Sequence, residues 1–199
     1  LLKYLATVEG HGAEAIPVVL FGNRNFDDGL IELRDILEAN GFHTIAGAAF
    51  VGEHAFSRTL AAGRPDEADM ALARQFAAQV KDKLQTGSYT TPATVEGCTP
   101  IRPYYTPRDR KGTPINILKV KPKTDMEKCD GCGICADVCP MGSIDREHPE
   151  IVSGICIKCC ACEKKCPKGA KYFDDAGYLY HKEELELGYA RRAEPSLFV

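Results

Sequence analysis

A chain of 199 residues has room for one large domain or two small ones. Its 25 basic and 28 acidic residues leave a formal charge of −3, which excludes a surface built for non-specific nucleic-acid binding. No run approaches the roughly 18 apolar residues of a membrane helix, and no leader of secretory type opens the chain.

Residues 1–8 read as the middle of an amphipathic pattern. With Leu1 in place of a Met, they point to an N-terminally incomplete sequence. Residues 15–21 (AIPVVLF) form a short apolar run ending at Gly22, the pattern of a buried parallel strand. After the loop of residues 22–26, Asp27 or Asp28 is placed to cap a helix. In that helix Leu30, Leu33 and Leu37 recur at i, i+3, i+7, Ile36 widens the stripe, and Gly41 marks the stop. Residues 42–51 give a second strand, weakened inside by Gly47. Pro65, Asp66 and Glu67 then open a helix whose Leu72, Phe76, Val80 and Leu84 share one face. This alternation over residues 1–86 argues for an α/β domain with a parallel sheet.

Residues 87–117 hold Pro92, Pro100, Pro103, Pro107 and Pro114, cannot sustain a long helix, and read as an interdomain linker. Between Arg102 and Lys123, seven basic residues stand against one acidic residue, Asp109. A segment hugging an acidic neighbour is favoured over a docking patch for an acidic redox partner.

Residues 118–199 contain an internal repeat. Cys129, Cys132, Cys135, Cys139 and Pro140 recur 27 residues later as Cys156, Cys159, Cys162, Cys166 and Pro167. Both copies read C-x2-C-x2-C-x3-C-P. Two-residue gaps let three thiolates of one tight loop reach three corners of a [4Fe–4S] cube, and in this spacing the fourth cysteine ligates the other cluster. The expected sets are therefore Cys129, Cys132, Cys135 and Cys166 for one cluster, and Cys156, Cys159, Cys162 and Cys139 for the second. Structural zinc is the competing reading, but zinc sites favour separated C-x2-C pairs or His partners, and only His148 lies within the repeat.

Gly131 and Gly133 allow backbone N–H groups to approach sulfur; the matching positions of the second loop are Lys158 and Cys160. That loop is bulkier and more positive, so the two potentials are expected to differ. Cys160, aligned with a glycine, and Cys98, in the linker, read as spare thiols. Eight thiolates and two +2 cores would move the formal charge to about −7. Because residues 1–97 contain no cysteine, a disulfide framework would leave half the chain unstapled. Clustered free thiolates imply a reducing compartment, with the cytoplasm as the expected location and an anaerobic host suited to iron–sulfur chemistry.

The cysteine-rich half resembles bacterial-type two-cluster ferredoxins over roughly residues 117–180. Residues 18–42 (VVLFGNRNFDDGLIELRDILEANGF), 48–57 (AAFVGEHAFS) and 61–69 (AAGRPDEAD) resemble the EFR1-type ferrodoxin family, in which a flavodoxin-like domain precedes a two-cluster ferredoxin domain. The resemblance implies a partial α/β flavodoxin-like domain over residues 1–86, the linker, and a small α+β ferredoxin domain with a C-terminal tail over residues 118–199. It also implies electron transfer between a flavin and the clusters. The loop of residues 22–26 is thereby placed beside the FMN ring, with Phe26 as the aromatic contact and Arg24 and Asn23 nearby. The first strands and phosphate loop of a flavodoxin-like fold are absent, so tight FMN binding is expected only of the complete protein.

Two functions follow. The first is an electron carrier serving redox partner proteins, with neither nucleic acid nor membrane as partner. The second is an oxidoreductase in which a substrate is reduced at the flavin and the clusters relay electrons; no residue that would transform a substrate stands out. With a sheet edge left unpaired, residues 1–86 are expected to be less stable than the ferredoxin half.

Overall fold

The computed structural model describes residues 2–199 and folds them as two units. The first takes the residues up to Glu53, Ala61–Tyr105 and Arg191–Val199; the second takes His54–Leu60 and Thr106–Ala190.

In the first unit, a single turn α1 (Leu2–Leu5) precedes β1 (Glu14–Ala15) and β2 (Val18–Phe21). The strand expected over residues 15–21 is split because Pro17 has no N–H to give a ladder. After helix α2 (Gly29–Ala39), its partner is split as well, into β3 (His43–Thr44) and β4 (Gly47–Val51). Both pairings are parallel, and the register slips by one residue across the break: Ala15 faces Thr44, but Val18 faces Ala48. This is the geometry of a bulge.

Asp28 occupies the N-cap position of α2 without capping it. Its carboxylate instead accepts from the Cys98 N–H at 3.1 Å, the Arg102 N–H at 2.7 Å and the Arg102 guanidinium at 2.6 Å. The helix buries Leu30 and Ile31, while Leu33 and Leu37 are half-buried, so the stripe is rotated from its expected position. Helix α3 (Glu67–Thr86) starts on a capping box in which Asp66 and Asp69 each accept the other's backbone N–H. Phe76 and Val80 pack on Ile45, Ala46 and Ala48; Leu84, on the same face, is exposed. Before α3, the buried Arg64 guanidinium pairs with the buried Asp69 carboxylate and donates to the Ala193 carbonyl at 3.0 Å.

Part of the expected linker is core. The Ala93 N–H donates to the Thr44 carbonyl at 2.9 Å, and Val95 joins Leu30 and Ile31. Two apolar side chains among the prolines are enough to fasten this segment to the unit.

The second unit contains β5 (Lys123–Thr124), α4 (Ile134–Asp137), α5 (Ala161–Lys164), β6 (Lys171–Tyr172) and α6 (Ala176–Gly188). β5 and β6 pair antiparallel with Thr124 opposite Lys171, and Ile144 bridges Val152. The Asp175 carboxylate caps α6 by accepting the Tyr178 N–H at 2.8 Å. Tyr178 stacks on Phe173 with ring centroids 4.5 Å apart and meets Phe56 at 5.0 Å.

The last strand, β7 (Ser196–Phe198), belongs to the first unit and pairs antiparallel with β4. β4 is thereby central and β2 is the edge, with Val18 and Leu20 exposed. Among the described residues no helix is long and apolar enough to cross a membrane.

Candidate metal centre

The repeat in the sequence is a repeat in the backbone. Residues 134–137 and 161–164 form α4 and α5, 27 positions apart, and the residue before each helix is left-handed: Gly133 at φ 75° and Cys160 at φ 55°. Gly131 and Lys158 match in the same way, at φ 72° and 57°. The loop that wraps each cysteine run needs these conformations. The first copy meets them with glycine, whereas the second holds two side chains there at a cost of about 1 kcal/mol or more each. Lys158 is anchored by its ammonium, which donates to the carbonyls of Leu118 at 2.8 Å and Cys156 at 3.0 Å. Cys160 is anchored by contact with the Tyr178 hydroxyl at 3.2 Å.

Beyond each run the chain turns at Pro140 or Pro167, and a backbone N–H returns to the fourth sulfur. Ser143 donates to Cys139 Sγ at 3.5 Å, and Ala170 donates to Cys166 Sγ at 3.3 Å. All ten cysteines are free.

The thiols gather around two cavities. Cys129, Cys132, Cys135 and Cys166 line one, together with Asp130, Lys168 and Lys171, around a volume of about 10 Å³. Cys156, Cys159, Cys162 and Cys139 line the other, with Ile144, Val152 and Phe173 in its wall, around a volume of about 20 Å³. Each cavity takes three cysteines from one copy and the fourth from the other. Cys160 also borders the second cavity, while Cys98 is an exposed thiol of the first unit.

Among the described residues, no group of three or more His, Cys, Asp or Glu side chains converges as the ligands of one metal ion would. Burial pushes the Cys135 thiol up and the Cys162 thiol up to about 12, in both cases against the positive charge of Lys171. Burial also pushes Cys160 up to about 11. At Cys166 burial opposes ionisation, but the N–H groups of Ala170, Lys171, Lys168 and Gly169 outweigh it and hold the thiol below its ordinary value. Thiols this buried become thiolates only when strong positive charge is brought against them, and an iron–sulfur core supplies that charge.

Lys171 was not singled out by its type in the sequence. It is 3% exposed, and its ammonium donates to the Pro149 carbonyl. The repeat offset, which aligns it with Ile144, is the signal that marks it.

The loop expected beside a flavin lies in the first unit. Asn23 is buried at φ 70°; its side chain donates to the Arg191 carbonyl at 2.6 Å and accepts the Ala193 N–H at 3.1 Å, so it ties the loop to the C-terminal tail. Arg24 pairs with Asp27 and lies over the Tyr105 ring, 4.0 Å from its centroid. Phe26 packs on Phe21 with centroids 5.5 Å apart and borders two cavities, of about 270 and 290 Å³.

The model of the 4Fe–4S binding domain family matches residues 122–145, which contain the first cysteine run. Pyruvate synthase subunit PorD of Methanothermobacter marburgensis is 45% identical over 47 residues, which is 24% of this chain and 57% of that one. The chain thus spans little more than half the length of this relative. No solved structure matches. Taken with the cysteine geometry, these likenesses support an iron–sulfur, 4Fe–4S binding domain of ferredoxin type in the cysteine-rich part of the chain.

Proposed function

We propose that the chain holds two [4Fe–4S] clusters and carries single electrons between protein partners. Cys129, Cys132, Cys135 and Cys166 would hold one cluster; Cys156, Cys159, Cys162 and Cys139 would hold the other. The observation that carries this reading is the pair of cavities, each lined by four thiols that cross between the repeats. What the chain itself supplies is shape, N–H donors to Cys139 and Cys166, and walls that limit water. Crossed ligands also make cluster binding part of the folding energy of a small domain.

Paired cysteine replacements test the crossing. Cys139→Ala combined with Cys156→Ala should retain about half of the bound iron, since both lie on one site. Cys139→Ala combined with Cys129→Ala should lose most of it. The reverse pattern would show uncrossed ligation and contradict the assignment.

The first unit favours coupling to a flavin, and with it a flavodoxin-like origin. Phe26 borders two cavities and Arg24 stands beside it, while Asn23 would shape the loop from behind. A flavin there would exchange electrons with the iron–sulfur domain, or reduce a substrate fed by it. The protein expressed from its full reading frame should then contain FMN, and a flavin-free protein would reject the coupling. The relative named as a subunit of pyruvate synthase supports a redox protein as partner, and ten free thiols suit a reducing compartment such as the cytoplasm.

A further inference from the structure

The two cysteine-lined cavities are related by the repeat, and among their buried lining positions one differs in charge; the buried Lys158 of the second loop turns its ammonium to the Leu118 and Cys156 carbonyls and does not line the cavity. The offset of 27 residues that superposes Cys139 on Cys166 and α4 on α5 also pairs Ile144 with Lys171. Ile144 is 7% exposed and lines the cavity of Cys156, Cys159, Cys162 and Cys139. Lys171 is 3% exposed and lines the cavity of Cys129, Cys132, Cys135 and Cys166. One site meets a hydrocarbon where the other meets an ammonium.

That positive charge is not cancelled by a carboxylate in the cavity wall. The Lys171 ammonium donates to the Pro149 carbonyl, a neutral partner. The other two charged side chains lining this cavity, Asp130 and Lys168, face each other at 3.7 Å. Apart from its thiols, the second cavity is lined among the described residues by no charged side chain.

Resting on the two-cluster reading above, we propose that Lys171 sets the order of reduction, making the site of Cys129, Cys132, Cys135 and Cys166 the one that takes the first electron. A buried cation favours whichever state carries one more negative charge, and burial keeps that attraction from being screened. Iron–sulfur potentials respond to local charge and to solvent exposure, so a buried Lys in one wall and a buried Ile at the matching place in the other separate the two potentials, while the Asp130–Lys168 pair adds no net charge to the first wall. The step is the transfer of one electron from an external low-potential reductant, dithionite in the test. No bond forms or breaks, and the compensating charge is already in place.

The test is a potentiometric titration of the reconstituted full chain followed by EPR. Lys171→Met should lower the higher of the two potentials by about tenfold in the reduction equilibrium, or about 59 mV for one electron, with a smaller change in the lower one. Lys171→Arg should keep the unaltered value, and Ile144→Lys should raise the lower potential. Unchanged potentials in Lys171→Met, or a Met-like potential in Lys171→Arg, would overturn the assignment. The unaltered protein gives a second readout that needs no variant: on stepwise reduction, the shifted β-proton resonances of Cys129, Cys132, Cys135 and Cys166 should respond first. First response from Cys156, Cys159 and Cys162 would also overturn it. Iron well below about eight per chain would instead count against the two-cluster reading, so the two failures are distinguishable.

Discussion

Cys160 shows how far residue type and residue role can part. It stands inside a run of ligand-spaced cysteines, yet it occupies the position of Gly133, keeps the left-handed backbone of that position, and turns its thiol to the Tyr178 hydroxyl. Cys160→Ala should therefore leave iron and sulfide content unchanged, whereas Cys159→Ala should lose one centre, as measured by iron and labile-sulfide analysis. A second residue-scale expectation concerns the buried Arg64–Asp69 pair. Hydrogen bonding to Arg64 holds the Asp69 carboxyl below its ordinary value of 3.8 despite its burial. A depressed folded-state pKa stabilises the fold fully above the unfolded value, and that stabilisation is lost as pH falls through the folded one. Asp69→Asn should cost about 3 kcal/mol at neutral pH by stranding a buried guanidinium, and should flatten the acid limb of the stability curve of the first unit. The ligand cysteines were legible because their spacing alone carries the chemistry. Asn23 was not, since its partners Arg191 and Ala193 lie more than 160 positions away and no local pattern announces them.

At the scale of elements, strands and helices of the first unit were legible where apolar period and breaker agreed. The pattern missed what long-range partners decide: the bulge opposite Pro17, the use of Asp28 to clamp Cys98 and Arg102, and the burial of Val95. Helix α6 escaped because the side chains it buries are Tyr178, His181 and Leu185, a stripe with only one aliphatic member. Strand β7 escaped because three residues give too short a run to show a period. Ending the chain after Ala190 removes β7, the Arg191 and Ala193 partners of Asn23, and the Arg192–Asp66 pair at 2.7 Å. Hydrogen exchange should then speed up at Gly47–Val51, while the iron content should stay the same. Unchanged protection of β4 would mean that β7 contributes little to the sheet. In the intact chain, faster exchange in the first unit than around the cysteine runs is expected, from the exposed edge strand β2.

For the whole molecule, composition suggested three consecutive segments, but each unit is assembled from separate stretches of chain. His54–Leu60 folds with the cysteine-rich unit, and Arg191–Val199 folds with the α/β unit. Proline content marked residues 87–117 as extended without revealing that their apolar residues would be packed. The repeat, by contrast, could be followed from spacing to backbone to cavity, and the buried charge difference in its cavity walls, Ile144 against Lys171, is the basis of the proposed order of reduction. The central claim is that eight cysteines hold two clusters. Iron and acid-labile sulfide, counted on the anaerobically reconstituted full chain, test it most directly: about eight of each per chain are expected. About four of each, or bound zinc without labile sulfide, would contradict it.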